Sequence, residues 1–302
     1  MYSITSLTTV AVAFFVIAPS VLAGKRGIAW PWCKYFVVSI SAYVHRIYPH
    51  RLMTDNERTH LDPGKLIGDN VQWMYNWETW RPGNTNGFNW IGTQATMDSP
   101  SSPVGQLKAR AEQQGWNTVF SLNEPDINGI SPGAAASWYI KYINPLPIKK
   151  AIPAVTSSQD PGKGLDWAAQ FLRACGGLCY FDYINIHWYG HTFEQFRSHV
   201  QHAHDVFPNH KLVVTEFALQ RPANRDQQLW FLKAAMEFMD HADYVAMYSV
   251  FVASSPSLIS RNMGGEEVGI GSSLYNDDGS LTDNGWAYRN DRWDGLTLQL
   301  QG

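Results

Sequence analysis

The chain has 302 residues, and although that length would suit two average domains, a single α/β barrel routinely runs to about 250 residues. A formal charge of −3 with only 16% charged residues leaves no basic stripe to neutralise phosphates, which excludes a nucleic-acid partner. The surplus is aromatic: 13 Trp and 14% aromatic residues exceed what a core needs, and flat apolar faces are what pyranose rings stack on.

The N-terminus opens with an apolar run, Thr8 to Ala18, then Pro19, Ser20 and the small-residue site Val21-Leu22-Ala23. This pattern predicts a signal peptide over residues 1–23, cleaved after Ala23, and hence a secreted protein. Met1 to Ser6 lacks the Lys or Arg that usually begins such a leader, so a buried β-type segment is the competing reading. The run is too short for a stable membrane span, and the polar stretch from Asp294 to Gly302 has no hydrophobic anchor tail. A mature form of residues 24–302, off the membrane and monomeric, is expected.

From Gly27 to about Tyr288 short apolar runs alternate with longer amphipathic ones, the rhythm of repeated βα units. Strands are predicted at Gly27–Trp30, Val71–Tyr75, Phe88–Ile91, Thr118–Leu122, Ala151–Val155, Tyr183–His187, Leu212–Thr215 and Tyr244–Tyr248. Eight such runs predict a single-domain α/β fold, a closed (β/α)8 TIM barrel. Ser131-Pro132 supplies a cap and first-turn proline for a helix over Ala134 to Ile143, ended by Pro145. Phe193 to Phe207 reads as a second helix, with His199, His202 and His204 on a solvated face. Asp226 begins a third, whose period of Leu229, Phe231, Leu232, Ala235, Met236 and Met239 suits an outer helix packing inward.

Three cysteines are an odd number for a secreted chain. Cys175 and Cys179, separated by Gly176-Gly177-Leu178, can close a small disulfide loop. No second Cys pair or well-placed His favours a metal site instead. Cys33 is left without a partner.

Chemistry in such barrels sits at the C-terminal ends of the strands, and the polar residues fall there. The fourth strand ends in Asn123-Glu124-Pro125-Asp126, where proline stops the ladder and displays an acid. The seventh ends in Thr215-Glu216-Phe217-Ala218. Two carboxylates flanking an oxocarbenium-like transition state are what glycoside hydrolysis needs, and Glu124 and Glu216 meet that need. A spacing of about 5–5.5 Å would mean retention, and about 6.5–9.5 Å inversion. Asn123 can bind a sugar hydroxyl or form a local turn before Pro125. His187 and Tyr189 share strand parity and point into the mouth together. Tyr75 and Trp77 alternate in the same way with Trp73, and with Trp80, Trp90 and Trp188 they are candidate stacking platforms. Among other acids, Asp126 reads as a turn group or a support behind the site, Asp182 belongs to the opposite face, and Glu78 could bind sugar from the aromatic loop but is expected at the surface.

With these residues in place the chain resembles the fungal glycosyl hydrolase catalytic core family, glycoside hydrolase family 128, among the clan A barrels. Gly27-Ile28-Ala29-Trp30, Tyr75-Asn76-Trp77, Leu122-Asn123-Glu124-Pro125-Asp126, His187-Trp188-Tyr189-Gly190, Thr215-Glu216-Phe217-Ala218 and Gly279-Ser280-Leu281-Thr282 carry the resemblance. It implies a retaining β-1,3-glucanase with Glu124 as acid/base and Glu216 as nucleophile, needing no metal or cofactor. Endo action on β-1,3-glucan or laminari-oligosaccharides is the leading expectation, with Asn123, Tyr75, Trp77, His187, Trp188 and Tyr189 binding substrate. A cell-wall protein that binds β-glucan with little turnover is the alternative, against which the intact carboxylate pair argues. One piece departs from the family: Cys33 to Asp55 intervenes between Trp32 and Asn56, and its basic, β-branched composition reads either as an unspliced intron translated in frame or as a genuine insertion.

Overall fold

The computed structural model describes residues 24–31, 61–261 and 263–290. The expected leader and the departing segment Cys33 to Asp55 lie outside the described residues.

Eight strands run β1 (Arg26–Ala29), β2 (Val71–Tyr75), β3 (Asn89–Thr93), β4 (Thr118–Phe120), β5 (Lys149–Lys150), β6 (Tyr183–Gly190), β7 (Lys211–Leu219) and β8 (Val245–Tyr248). Their order in the sheet is β5-β4-β3-β2-β1-β8-β7-β6, with every pairing parallel. Parallel bridges Ala151 to Tyr183 and Val155 to Ile186 join the two ends. The result is the expected (β/α)8 barrel. Its thinnest seam is at β5, where a strand was expected over Ala151–Val155. Pro153 has no N–H to give the ladder, so regular pairing stops at Lys150 and only isolated bridges follow.

Helices α1 (Leu107–Gln114), α2 (Pro132–Tyr142), α3 (Gly164–Cys175), α4 (Phe193–Val206) and α5 (Arg225–His241) follow strands β3 to β7, and α6 (Pro256–Ile259), α7 (Met263–Val268) and α8 (Asp283–Arg289) follow β8. The caps are local chemistry. Ser131 accepts from the Ala134 amide ahead of α2, and Thr192 with Gln195 and Asn224 with Gln227 form reciprocal capping boxes on α4 and α5. Cys175 and Cys179 are joined by a disulfide at the end of α3.

Strand alternation sorts the apolar residues into two cores. Outward-facing Met74, Ile186, Trp188 and Phe217 pack with the helices, while Trp73, Tyr75, Trp77, Phe120 and Val213 fill the barrel. Space inside is tight: a Cβ on Gly27 would come within 2.1 Å of the Trp73 ring. The histidines on α4 are not all solvated. Only His202 is exposed; His199 and His204 are half-buried, and His204 stacks on Tyr244 at 4.2 Å, because α4 turns that edge toward the neighbouring elements.

Candidate active site

Two backbone irregularities place the carboxylates. Glu124 has φ +47°, a left-handed conformation that costs a non-glycine residue on the order of 1–3 kcal/mol. The turn is held by hydrogen bonds: the Glu124 amide donates to Ala154 O at 2.8 Å, and its carbonyl accepts from the Asn128 amide at 3.1 Å and side chain at 3.0 Å. On β7, pairing with β6 passes from Ile186–Val214 directly to His187–Glu216. Thr215 is the extra residue of a bulge, which bends a strand and re-aims its side chains. Thr215 and Glu216, consecutive in sequence, therefore both reach partners inside the barrel.

Those partners form one buried network. Glu216 Oε1 accepts from Trp77 Nε1 at 2.7 Å and Oε2 from the Tyr189 hydroxyl at 2.6 Å. His187 Nδ1 lies 2.9 Å from Glu124 Oε1 and 3.6 Å from Glu216 Oε2. Its Nε2 meets Thr215 Oγ1 at 3.0 Å, and Tyr75 donates to the Thr215 carbonyl at 2.8 Å. One ligand-type atom from each of Glu124, His187 and Glu216 lies within 4.8 Å of the others. A metal ion could use that spacing, but the same atoms are engaged in short hydrogen bonds suited to holding and moving protons.

The two acids sit in different surroundings. Burial raises the Glu124 pKa, against the opposing hydrogen bond from His187. Glu216 instead accepts two hydrogen bonds, one of them from an indole N–H that can only donate. For His187 burial works downward, but the charge of Glu216 and the bond to Glu124 outweigh it and its pKa is raised. Burial and then the Glu216 charge push the Tyr189 and Tyr75 phenols well above their ordinary range, so both remain donors.

Several expected sugar contacts take other places. Trp188 is a correction: its ring is 3% exposed and packs on Phe196 and Phe231 of the helix layer, because it lies between inward-facing His187 and Tyr189. Tyr75 is also corrected, being sealed beneath the pair with its hydroxyl on backbone. Trp73 and Trp90 are core, and Trp80, 49% exposed, is covered on one face by the Arg110 guanidinium. Glu78 is buried rather than at the surface. The Asp126 side chain ties the loop after β4 to that after β5 rather than closing a local turn, accepting from Thr156 and the Gly164 amide, and Asp182 holds the Lys150 amide at the far face. Asn123 is half-buried beside Glu124 and makes no side-chain hydrogen bond among the described residues. Sequence reasoning missed Phe251, which walls the site by edge contacts with Trp77 and Tyr189 at 6.1 and 5.7 Å. It also missed Asn185, whose parity with His187 was the available clue. A pocket of about 690 Å³ between the β7–α5 loop and α7, lined by Arg221, Arg225, Glu266 and Ile270, includes none of the paired residues.

A parallel barrel with two buried carboxylates at the ends of β4 and β7 defines a glycosidase-type site. Residues 53–288 match the glycosyl hydrolase catalytic core family, and the chain belongs to that family, within glycoside hydrolase family 128. It is 47% identical to a subgroup IV endo-β-1,3-glucanase of Lentinula edodes, with 88% of this chain and 99% of that one covered and a TM-score of 0.76. A subgroup III curdlan-specific exo-β-1,3-glucanase of Blastomyces gilchristii, solved with glucose, is 26% identical with a TM-score of 0.65, covering 88% of this chain and 98% of its own. Alkali-sensitive linkage protein 1 of Schizosaccharomyces pombe is 27% identical over 270 residues, 83% of this chain. The chain spans 44% of the length of that curated relative.

Proposed function

We propose that the chain is a secreted glycoside hydrolase that cleaves β-1,3-glucan internally and retains anomeric configuration. The observation that carries the mechanism is that one oxygen of Glu124 and one of Glu216 lie within 4.8 Å of each other, as the closer, retaining arrangement of carboxylates requires. In the first step Glu124 gives its proton to the departing glycosidic oxygen while Glu216 attacks the anomeric carbon. In the second, Glu124 takes a proton from water, whose oxygen displaces Glu216 from the sugar. The raised Glu124 pKa suits the acid, and the two donors on Glu216 hold the nucleophile in line. Asn123 offers its free amide to a sugar hydroxyl, and bonds to the 2-OH that tighten in the transition state add to the rate. Endo action on β-1,3-linkages is supported by likeness to the Lentinula enzyme. Secretion is supported by the leader pattern and by the Cys175–Cys179 disulfide, which suits an oxidising compartment.

Laminarin hydrolysis followed by proton NMR tests the reading. The β-anomer is expected to appear first, and Glu216→Ala should release no reducing sugar. First appearance of the α-anomer would refute retention, and undiminished release by the variant would refute the role of Glu216.

A further inference from the structure

Beneath the carboxylates, the direction of the hydrogen bonds around His187 is set by two residues whose side chains hydrogen-bond neither acid. Asn185, His187 and Thr215 are each about 1% exposed, so water does not compete for their polar atoms. The Asn185 side-chain oxygen can only accept, and Thr215 Oγ1, 2.7 Å away, gives it the single hydroxyl proton. Toward His187 Nε2, 3.0 Å away, Thr215 Oγ1 is then left as an acceptor. The neutral ring must carry its proton on Nε2, which leaves Nδ1 bare and facing Glu124 Oε1 at 2.9 Å.

We infer that Asn185 and Thr215 are positioning residues that lock His187 in its Nε2–H form, so that Nδ1 and Glu124 share one proton. The inference rests on the acid/base role proposed above for Glu124. In the locked ring a deprotonated pair would set two lone pairs against each other at 2.9 Å. The pair therefore holds its proton to higher pH than a lone carboxyl would, and readily retakes one from water in the second step. An unlocked ring would behave differently. It could put its only proton on Nδ1, donate to the Glu124 carboxylate, and leave the pair content without the shared proton. Other groups bear on the ring as well. Glu216 faces Nδ1 from β7 at 3.6 Å, Asp126 adds a more distant negative charge, and His199 approaches the His187 backbone from α4. Tyr189 and Tyr75 face the same network as neutral phenols. None of these supplies an acceptor for Nε2, so the lock belongs to Thr215 and Asn185.

Nitrogen-15 NMR of the histidine-labelled protein reads the tautomer directly, with His187 assigned by the loss of its signals in His187→Gln. The neutral ring is expected to be protonated on Nε2; a neutral ring protonated on Nδ1 would overturn the inference. In Thr215→Val the basic limb of the kcat/KM profile on laminarin should move down by about one pH unit, the shift one hydrogen bond to a charged ring supports. Thr215→Ser should restore it, and Asn185→Leu, which frees the hydroxyl to donate to Nε2, should reproduce it. A folded Thr215→Val enzyme that is slower with an unmoved limb would show a merely structural role and overturn the inference. If that variant does not fold, the tautomer in the unmodified protein decides. The tautomer is read without substrate, so an Nε2–H ring in a protein inactive on glucan would sink the glucanase reading and leave the lock standing.

Discussion

Glu216 is gripped by donors from two different strands, Trp77 at the end of β2 and Tyr189 at the end of β6. Hydrogen bonds to a charged group contribute roughly 1.5–3 kcal/mol. Trp77→Phe keeps an aromatic ring against Phe251 while removing the indole N–H and part of the ring volume. We expect kcat/KM on laminarin to fall by about 10- to 100-fold with the circular dichroism spectrum unchanged. An unchanged rate would remove Trp77 from the positioning of the nucleophile. At this scale the sequence was informative wherever chemistry depends on residue type: an Asn-Glu-Pro after an apolar run and a Thr-Glu-Phe after another sufficed to nominate the pair. It was less informative about aromatics, since Trp serves equally as platform, hydrogen-bond donor and core. Strand parity would have sorted Trp188 from its neighbours, because the same alternation that turns His187 and Tyr189 inward turns it out.

The elements show where parity itself fails. Alternation assigns Thr215 and Glu216 to opposite faces of β7, yet both serve the site because the bulge opposes the two of them to His187 alone. No residue in Thr215-Glu216-Phe217 announces that bulge. Behind the same stretch, α4 carries His199 against β6, with its Nε2 buried and without a partner among the described residues. Burial, and then the charge of His202, lower the His199 pKa from 6.5 to about 4. Such an imidazole is neutral in the fold but takes a proton in the unfolded chain below pH 6.5, so its contribution is present above 6.5 and lost as pH falls toward 4. Urea unfolding midpoints should decline over that window, and the decline should be shallower in His199→Leu. Parallel declines in the two proteins would show that other groups govern the acid limb.

Across the whole molecule the barrel is tied shut by contacts between chain ends. Arg26 on β1 reaches Asp240 on α5 at 2.7 Å, the Tyr248 hydroxyl on β8 at 2.9 Å and the Tyr288 carbonyl on α8 at 3.1 Å. Tyr288 in turn donates to Gly27 O at 2.7 Å. Removing one partner of a fully buried ion pair costs about 3–5 kcal/mol. The Asp240 side chain is 22% exposed and Arg26 keeps its bonds to Tyr248 and Tyr288, so the loss here is about 2–3 kcal/mol. Asp240→Ala should lose that much unfolding free energy in urea. A change under 1 kcal/mol, within the range typical of exposed pairs, would show that the pair is solvated in solution. This clasp joins residues more than 200 positions apart. It was not visible in the chain because Arg26 and Asp240 are ordinary charged residues until the barrel closes around them.

Local chemistry carried much of the design by itself. Apolar runs of strand length, capping residues and a proline after Glu124 prescribe the eight-fold alternation and the barrel, because strand and helix periods and caps depend only on near neighbours in sequence. Pro153 shortening β5 belongs to the same class of effect. Distances across the barrel axis depend on closure, and closure, together with the β7 bulge and the left-handed turn at Glu124, brought Glu124 and Glu216 within reach of one histidine. Whether Trp77 stacks on a sugar or grips a carboxylate, and which nitrogen of His187 carries a proton, depends on partners from other strands. Their approach is the sum of every register in the sheet, a quantity that no single stretch of residues encodes.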